Sequence, residues 1–182
     1  MLYLGYVPHI ASERLDSGEP RIDKIVELIQ QSRFSIHDIS RIESSEKEEL
    51  YRLNMAFELG VDFGCKSFAG GDAKSKKLLI LEKEQYRYQK ALSDLSGSDI
   101  RNHDNEPESL VHQVRNWFRG ITSGRSPSGT VIWEHFNEFM ADFYQRREEQ
   151  GHRHKDLQLM PTGEYIDFIQ EWLENKSIAA SS

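Results

Sequence analysis

The sequence predicts an α/β fold, a parallel sheet covered by helices and followed by a helical C-terminal extension. Two observations predict it. Short apolar runs of strand length alternate with segments of helical period up to about residue 119, and helix follows helix after that. Between the two regimes lies "GITSGRSPSG", the clearest linker-like stretch in the chain. The expected division is therefore a domain of residues 1–119 and an extension of residues 120–182, packed on it.

The elements follow in order. "GYVPHIA" reads as a strand from Tyr6 to Ala11, and "LDSGEP" as a turn with Pro20 at the start of a helix. In "RIDKIVELIQQSR", Ile22, Ile25, Val26, Leu28 and Ile29 fall at helical spacing. "FSIHDIS" is a strand, "RIESSEKEELYR" a polar loop, and "LNMAFELGVDFG" a helix. In that helix Ala56, Gly60 and Gly64 recur every fourth residue, a stripe that would let another backbone approach closely. "AGGDAKSK" is a surface turn, "KLLILE" a strand, "YRYQKALSDL" a helix, and "SDIRNHD" a short edge strand. Pro107 opens a helix through Phe118, and two more run from about Ser128 to Gln150 and from Thr162 to Asn175. The "KSIAASS" tail reads as disordered.

Composition narrows the function classes. At 182 residues, the chain suffices for one domain with a real core. A net charge of −7 leaves no excess of Lys and Arg to neutralise phosphates, so a nucleic-acid polymer is not an expected partner. No apolar run reaches membrane-span length and no signal peptide is evident, so no membrane partner is expected. The single cysteine, Cys65, cannot form an internal disulfide, and a cytoplasmic location is the expectation. No cofactor or metal motif is evident. "HRHKD" (His152 to Asp156) lies in a polar turn without cysteines, and "GGDAKSK" lacks P-loop spacing and precedes a strand.

Two carboxylates stand out. Asp38 closes its strand, and in open α/β sheets ligands bind beyond the carboxyl ends of strands. Glu58 lies early in the next helix, whose N-terminus faces that same edge, and Asn54 shares its helix face four residues earlier. Asp38, Asn54 and Glu58 are thus expected to converge on one crevice. A strand-end Asp that caps the next turn and a helical Glu that complements the dipole are the plainer alternatives. If both acids are structural, each should have a cationic or backbone-amide partner. His37, one residue before Asp38, should point to the opposite sheet face and be packed and hydrogen-bonded.

"IHDIS", then "NMAFELGVDFG", then "KKLLILE" resembles the nucleoside 2-deoxyribosyltransferase-like group, relatives of TIR-type folds. The likeness runs from about Tyr6 to Phe118, and "SGEPRIDKI", "FSIHDISR", "RLNMAFELG" and "YRYQ" look closest to a bacterial subfamily of nucleotide-binding-like proteins. It implies a flavodoxin-like sheet whose first strand is missing from this chain, which would begin inside the first helix. The resemblance makes Glu58 the catalytic residue at the anomeric carbon of an N-glycosidic bond. It makes Asp38 the group that binds sugar hydroxyls or assists proton transfer at the base.

Other candidates carry a plain and a functional reading. Arg41 and Arg52 flank the polar loop and suit a phosphate, or are solvated loop arginines. Tyr86 and Tyr88, after the Lys77–Glu82 strand, sit near the ligand edge and suit base stacking, or pack helix against sheet. Trp133, Phe136, Phe139, Met140, Phe143 and Tyr144 recur at three and four, which is a buried face or a homodimer interface through the C-terminal helices. The expected function is binding of a small nucleoside or nucleotide, with cleavage or transfer at its N-glycosidic bond. A nucleotide-sensing or protein-interaction module without turnover is the alternative.

Overall fold

The computed structural model describes residues 1–14, 16–42, 53–123 and 125–180. Two compact units divide the chain, one of Gly18–Arg125 and one of Met1–Ser17 with Ser126–Ser182. Residues 1–17 thus group with the C-terminal helices, and the second division falls a few residues past the anticipated 119/120 boundary.

The Gly18–Arg125 unit is α/β. Its helices are α1 (Arg21–Gln31), α2 (Asn54–Phe68) and α3 (Pro107–Ile121), and its strands are β1 (Phe34–Asp38), β2 (Lys77–Glu82) and β3 (Arg101–Asn102). The strands form one parallel sheet in the order β1-β2-β3, with β1 paired directly to β2 from Phe34↔Lys77 to Asp38↔Leu81. The period of two along β1 sorts its side chains between layers. Phe34 meets Trp117 and Phe118 of α3 edge-on, with ring centroids 6.0 and 5.5 Å away. Ser35 and His37, of the other parity, meet Asp62 of α2. Helices therefore cover both faces, which is why β2 reads as an almost unbroken apolar run. Ile39, Ile42, Leu59, Ile80 and Tyr88 form the core cluster beneath α2.

Polar groups are buried on that face as well. His37 Nε2 lies 2.9 Å from Asp62 Oδ2, as the strand parity requires of a packed, hydrogen-bonded histidine. Lys76 Nζ lies 3.3 Å from Asp62 Oδ1 and donates to the carbonyls of Ile29 and Ser32 at 2.5 Å each. Those two carbonyls belong to the last turn and C-cap of α1, where no intrahelical donor remains. Burial pushes the Asp62 carboxyl up. Hydrogen bonds from His37 and Ser35 and the Lys76 charge outweigh it and hold the group below the usual carboxylate range.

Several local expectations are corrected. Tyr6–Ala11 is not a strand: it links 3-10 turns at Leu2–Leu4 and Ala11–Glu13. Pro8 offers no N–H for a ladder, and the described residues of that unit contain only helices to pair with. "YRYQKALSDL" forms two 3-10 turns, Arg87–Lys90 and Ser93–Leu95, because Tyr86 is left-handed (φ 63°) and Leu92 is non-helical. At Gly60 and Gly64 the small-residue stripe meets no other backbone among the described residues. A Cβ at Gly60 would have nothing within 4 Å, since Leu59 and Asp62 form the face of α2 turned to the sheet. α2 exposes Phe57, Phe63 and Phe68, and its N-cap Leu53 is exposed as well.

In the other unit, α4 (Gly129–Glu149) and α6 (Thr162–Ala180) follow the sequence expectation, except that α6 continues past Asn175 through part of the presumed tail; the short α5 (His154–Gln158) was not expected and begins inside the "HRHKD" stretch read as a turn. Phe139 and Phe143 of α4 are buried against Tyr165 of α6, and Phe143 also against Phe168. Phe136 and Tyr144 stay exposed, so the aromatic stripe is only half consumed by packing. Trp172 Nε1 donates to Asp142 Oδ2 at 2.8 Å, and the Arg147 guanidinium lies 3.5 Å over the Phe168 ring.

Removing one partner from a fully buried ion pair costs about 3–5 kcal/mol. Asp62→Ala is therefore expected to destabilise by that amount in urea denaturation at neutral pH. Because the folded Asp62 pKa is depressed, its contribution is intact above the unfolded value of about 3.9 and is lost as pH falls through the lower folded value. Denaturation midpoints should fall in that acid window, and Asp62→Asn should flatten this part of the profile.

Candidate functional site

Asp38 ends β1 and immediately closes a turn. Its Oδ1 accepts from the Ser40 N–H at 2.9 Å and from the Ser40 hydroxyl at 2.5 Å, an Asx-turn that stops the strand. Ser40 Oγ also lies 3.0 Å from His103 Nε2, and His103 Nε2 lies 3.5 Å from Asp38 Oδ2. With the hydroxyl proton directed to Asp38, the Nε2 of His103 must be the donor to Ser40 Oγ. A nucleophilic triad needs the acid on the second ring nitrogen, orienting a base towards the hydroxyl. Here acid and hydroxyl share one nitrogen, so the cluster closes a turn and does not activate Ser40.

Glu58 has a different neighbour. Its Oε1 lies 3.7 Å from Arg21 Nη2 of α1, an arginine that is 65% exposed. Asp38 shares the parity of Phe34, on the α3 face, whereas Glu58 belongs to α2 on the other. The described contacts do not bring the two acids together, and each has the partner that a structural role requires. Asn54 and Arg41 are exposed, at the start of α2 and after the Asx-turn respectively. Arg52 lies outside the described residues.

A concave feature of this unit lies beside the carboxyl end of β2. A cavity of about 160 Å³ is lined by Glu82, Glu84, Gln85, Tyr86, Tyr88 and the segment Ser98–Ile100 with Asn102. Both nominated tyrosines belong to it, Tyr88 buried and Tyr86 exposed. Glu82, at the last position of β2, is fully buried. Its Oε1 accepts from the Lys83 N–H at 2.7 Å and from Arg87 Nη2 and Nε at 2.5 and 3.2 Å. Arg87 Nη2 also donates to the Ser40 carbonyl at 2.5 Å, which ties the Asp38 turn to the cavity wall.

One residue of the cavity wall, Tyr86, has a strained backbone. Among the described residues, the non-glycine positions with positive φ are Tyr86 (63°), Asp104 (55°) and Asn105 (61°). All follow β2 or β3. Asp104 and Asn105 make a turn closed by the Glu106 N–H to the His103 carbonyl at 2.8 Å. A bulky side chain held in the left-handed region costs about 1–2 kcal/mol and persists where surrounding contacts impose it, often at ligand sites.

Sequence reasoning missed Glu82, Glu84, Arg87, Asp99 and His103. The signal for Glu82 was present: it ends an apolar strand with a charge, as Asp38 does. Among the described residues no group of His, Cys, Asp and Glu is arranged to hold a metal, and no helix is long and apolar enough to cross a membrane. No family model, curated protein or solved structure matches the chain.

The partners set the expected costs of substitution. Arg87→Ala leaves the buried Glu82 charge uncompensated and should destabilise by about 3–5 kcal/mol. Glu58→Gln loses only an ion pair to an exposed arginine and should change stability by about 1 kcal/mol or less. Chemical denaturation of the two variants beside the unmodified chain checks both values.

Proposed function

We propose that the Gly18–Arg125 unit binds a nucleoside or nucleotide in the cavity beside the carboxyl end of β2. The observation that carries this is the coincidence of concavity, two tyrosines and strained backbone at one sheet edge. Ligands of open α/β sheets bind at that edge. Tyr86, exposed and held left-handed, offers a ring face on which a base can stack, and Tyr88 closes the inner wall. Glu84, Asp99, Gln85 and Asn102 supply acceptors and amides for sugar hydroxyls. A cavity of about 160 Å³ is smaller than the ~300–1,000 Å³ of pockets for whole drug-sized ligands, so it holds one ring while the rest lies over Tyr86. The flavodoxin-like likeness supports the reading only in coarse form. That arrangement sets another strand between two that are paired directly here.

Binding without turnover is the reading that the geometry favours, since the acids nominated for chemistry have other partners. Cleavage at the N-glycosidic bond is the second reading, favoured by the Glu84 and Asp99 carboxylates in the cavity wall. Calorimetric titration with a nucleoside and nucleotide panel tests the first. Saturable binding is expected, and Tyr86→Ala should weaken it at least tenfold, since stacking on one aromatic contributes about 1–3 kcal/mol per base. Absence of saturable binding to the unmodified chain overturns it. Chromatography of the same mixtures for free base tests the second: release that persists in Glu58→Ala and stops in Glu84→Gln or Asp99→Asn places the chemistry in the cavity.

Strain at Tyr86 gives a further expectation. Tyr86→Gly removes a Cβ from a left-handed position and should leave the chain as stable or more stable by about 1 kcal/mol while abolishing ligand binding. A thermal melt read beside the titration checks both halves.

A further inference from the structure

We propose that the solvent face of α2 is a dimer interface, on which α2 of a second copy of this chain packs antiparallel. The contact is independent of the cavity and its ligand. Leu53, Phe57, Gly60, Val61, Gly64 and Phe68 recur at three and four, so they share one face of the helix. That face lies opposite Leu59 and Asp62, which turn to the sheet. Its aromatic side chains stand in water: Phe57 is 60% and Phe68 89% exposed. A contiguous apolar stripe left exposed along a helix marks an association surface. None of these residues is charged, so two chains of net charge −7 meet there without desolvating a charge.

The order of the residues identifies the occupant. A two-fold axis gives an isologous contact, in which each residue faces the one equally far beyond the axis on the other copy. With the axis between Gly60 and Val61 and the helices antiparallel, Leu53 faces Phe68, Phe57 faces Gly64 and Gly60 faces Val61. The whole face maps onto itself, a symmetry that a foreign partner does not impose. The partners also match in size. Each Phe57 ring enters the space that Gly64 of the other copy leaves, and the backbones approach at Gly60, where an added Cβ would meet nothing within 4 Å. The stripe thereby gains the backbone neighbour that it lacks within the chain. One helix pair stands at the low end of specific interfaces, below roughly 1,200 Å², so the dimer forms reversibly and disperses on dilution.

Sedimentation equilibrium of the full chain between roughly 1 and 500 µM is expected to show a monomer passing to a dimer. Gly60→Leu fills the crossing point and Phe57→Lys puts an unpaired charge into it, so each should weaken association at least tenfold. Both positions are exposed, and thermal melts at the dilute end should match the unmodified chain; if one variant fails to fold, the other decides. Register is tested on a Cys65→Ser background under oxidised glutathione. Chains carrying Phe57→Cys mixed with chains carrying Gly64→Cys should link to each other in preference to their own kind. Preferred linkage of either variant to itself overturns the antiparallel pairing. A monomer throughout the range overturns the interface, and so does a dimer that neither Gly60→Leu nor Phe57→Lys weakens, which would place the contact on another surface such as the exposed aromatics of α4.

Discussion

Four elements of the sheet unit depend on one buried carboxylate. Asp62 of α2 meets His37 of β1 and Lys76 at the entry to β2, and Lys76 in turn satisfies the last carbonyls of α1. Each group alone would be costly in an apolar interior, and none can leave without stranding the others. The constraint thus concerns arrangement more than net stability. α2 can sit on the sheet only where Asp62 reaches both His37 and Lys76, and that choice turns Leu59 inward and leaves Phe57 and Phe68 in solvent.

A second buried pair organises the opposite end of β2. Glu82 and Arg87 pin the loop after the strand, and Arg87 extends the link to the turn that Asp38 closes. This anchoring explains how Tyr86 persists in a left-handed conformation: the contacts on both sides of it outweigh the local cost. The cavity wall is therefore held by a charge pair and by strain at the end of β2.

The carboxyl edge of the sheet was legible from strand polarity, which β1 and β2 disclose in their apolar runs and terminal acids. Tyr86 and Tyr88, nominated on that reasoning, line the cavity beside the end of β2. Glu58 was not placed by it, because helical position relative to a sheet edge depends on rotation about the helix axis. The Asp62 contacts fix that rotation, and nothing in "NMAFELG" encodes it. Arg87 and His103 escaped notice because their partners, Glu82 and Ser40, are separated from them by folded loops or by the sheet itself.

The sequence by itself determined the α/β class, most helices and strands, and the opposed orientation of His37 and Asp38. These follow from local periodicity, strand parity and chain direction, all properties of near neighbours. Only the tertiary structure decided which acids are partnered, which tyrosine is strained, and that residues 1–17 group with the C-terminal helices. Several of those outcomes depend on contacts between residues far apart in the chain, such as Asp62 with His37, Glu58 with Arg21 and Arg87 with the Ser40 carbonyl. Buried charges select such contacts, because each must find its particular partner, whereas apolar side chains accept many.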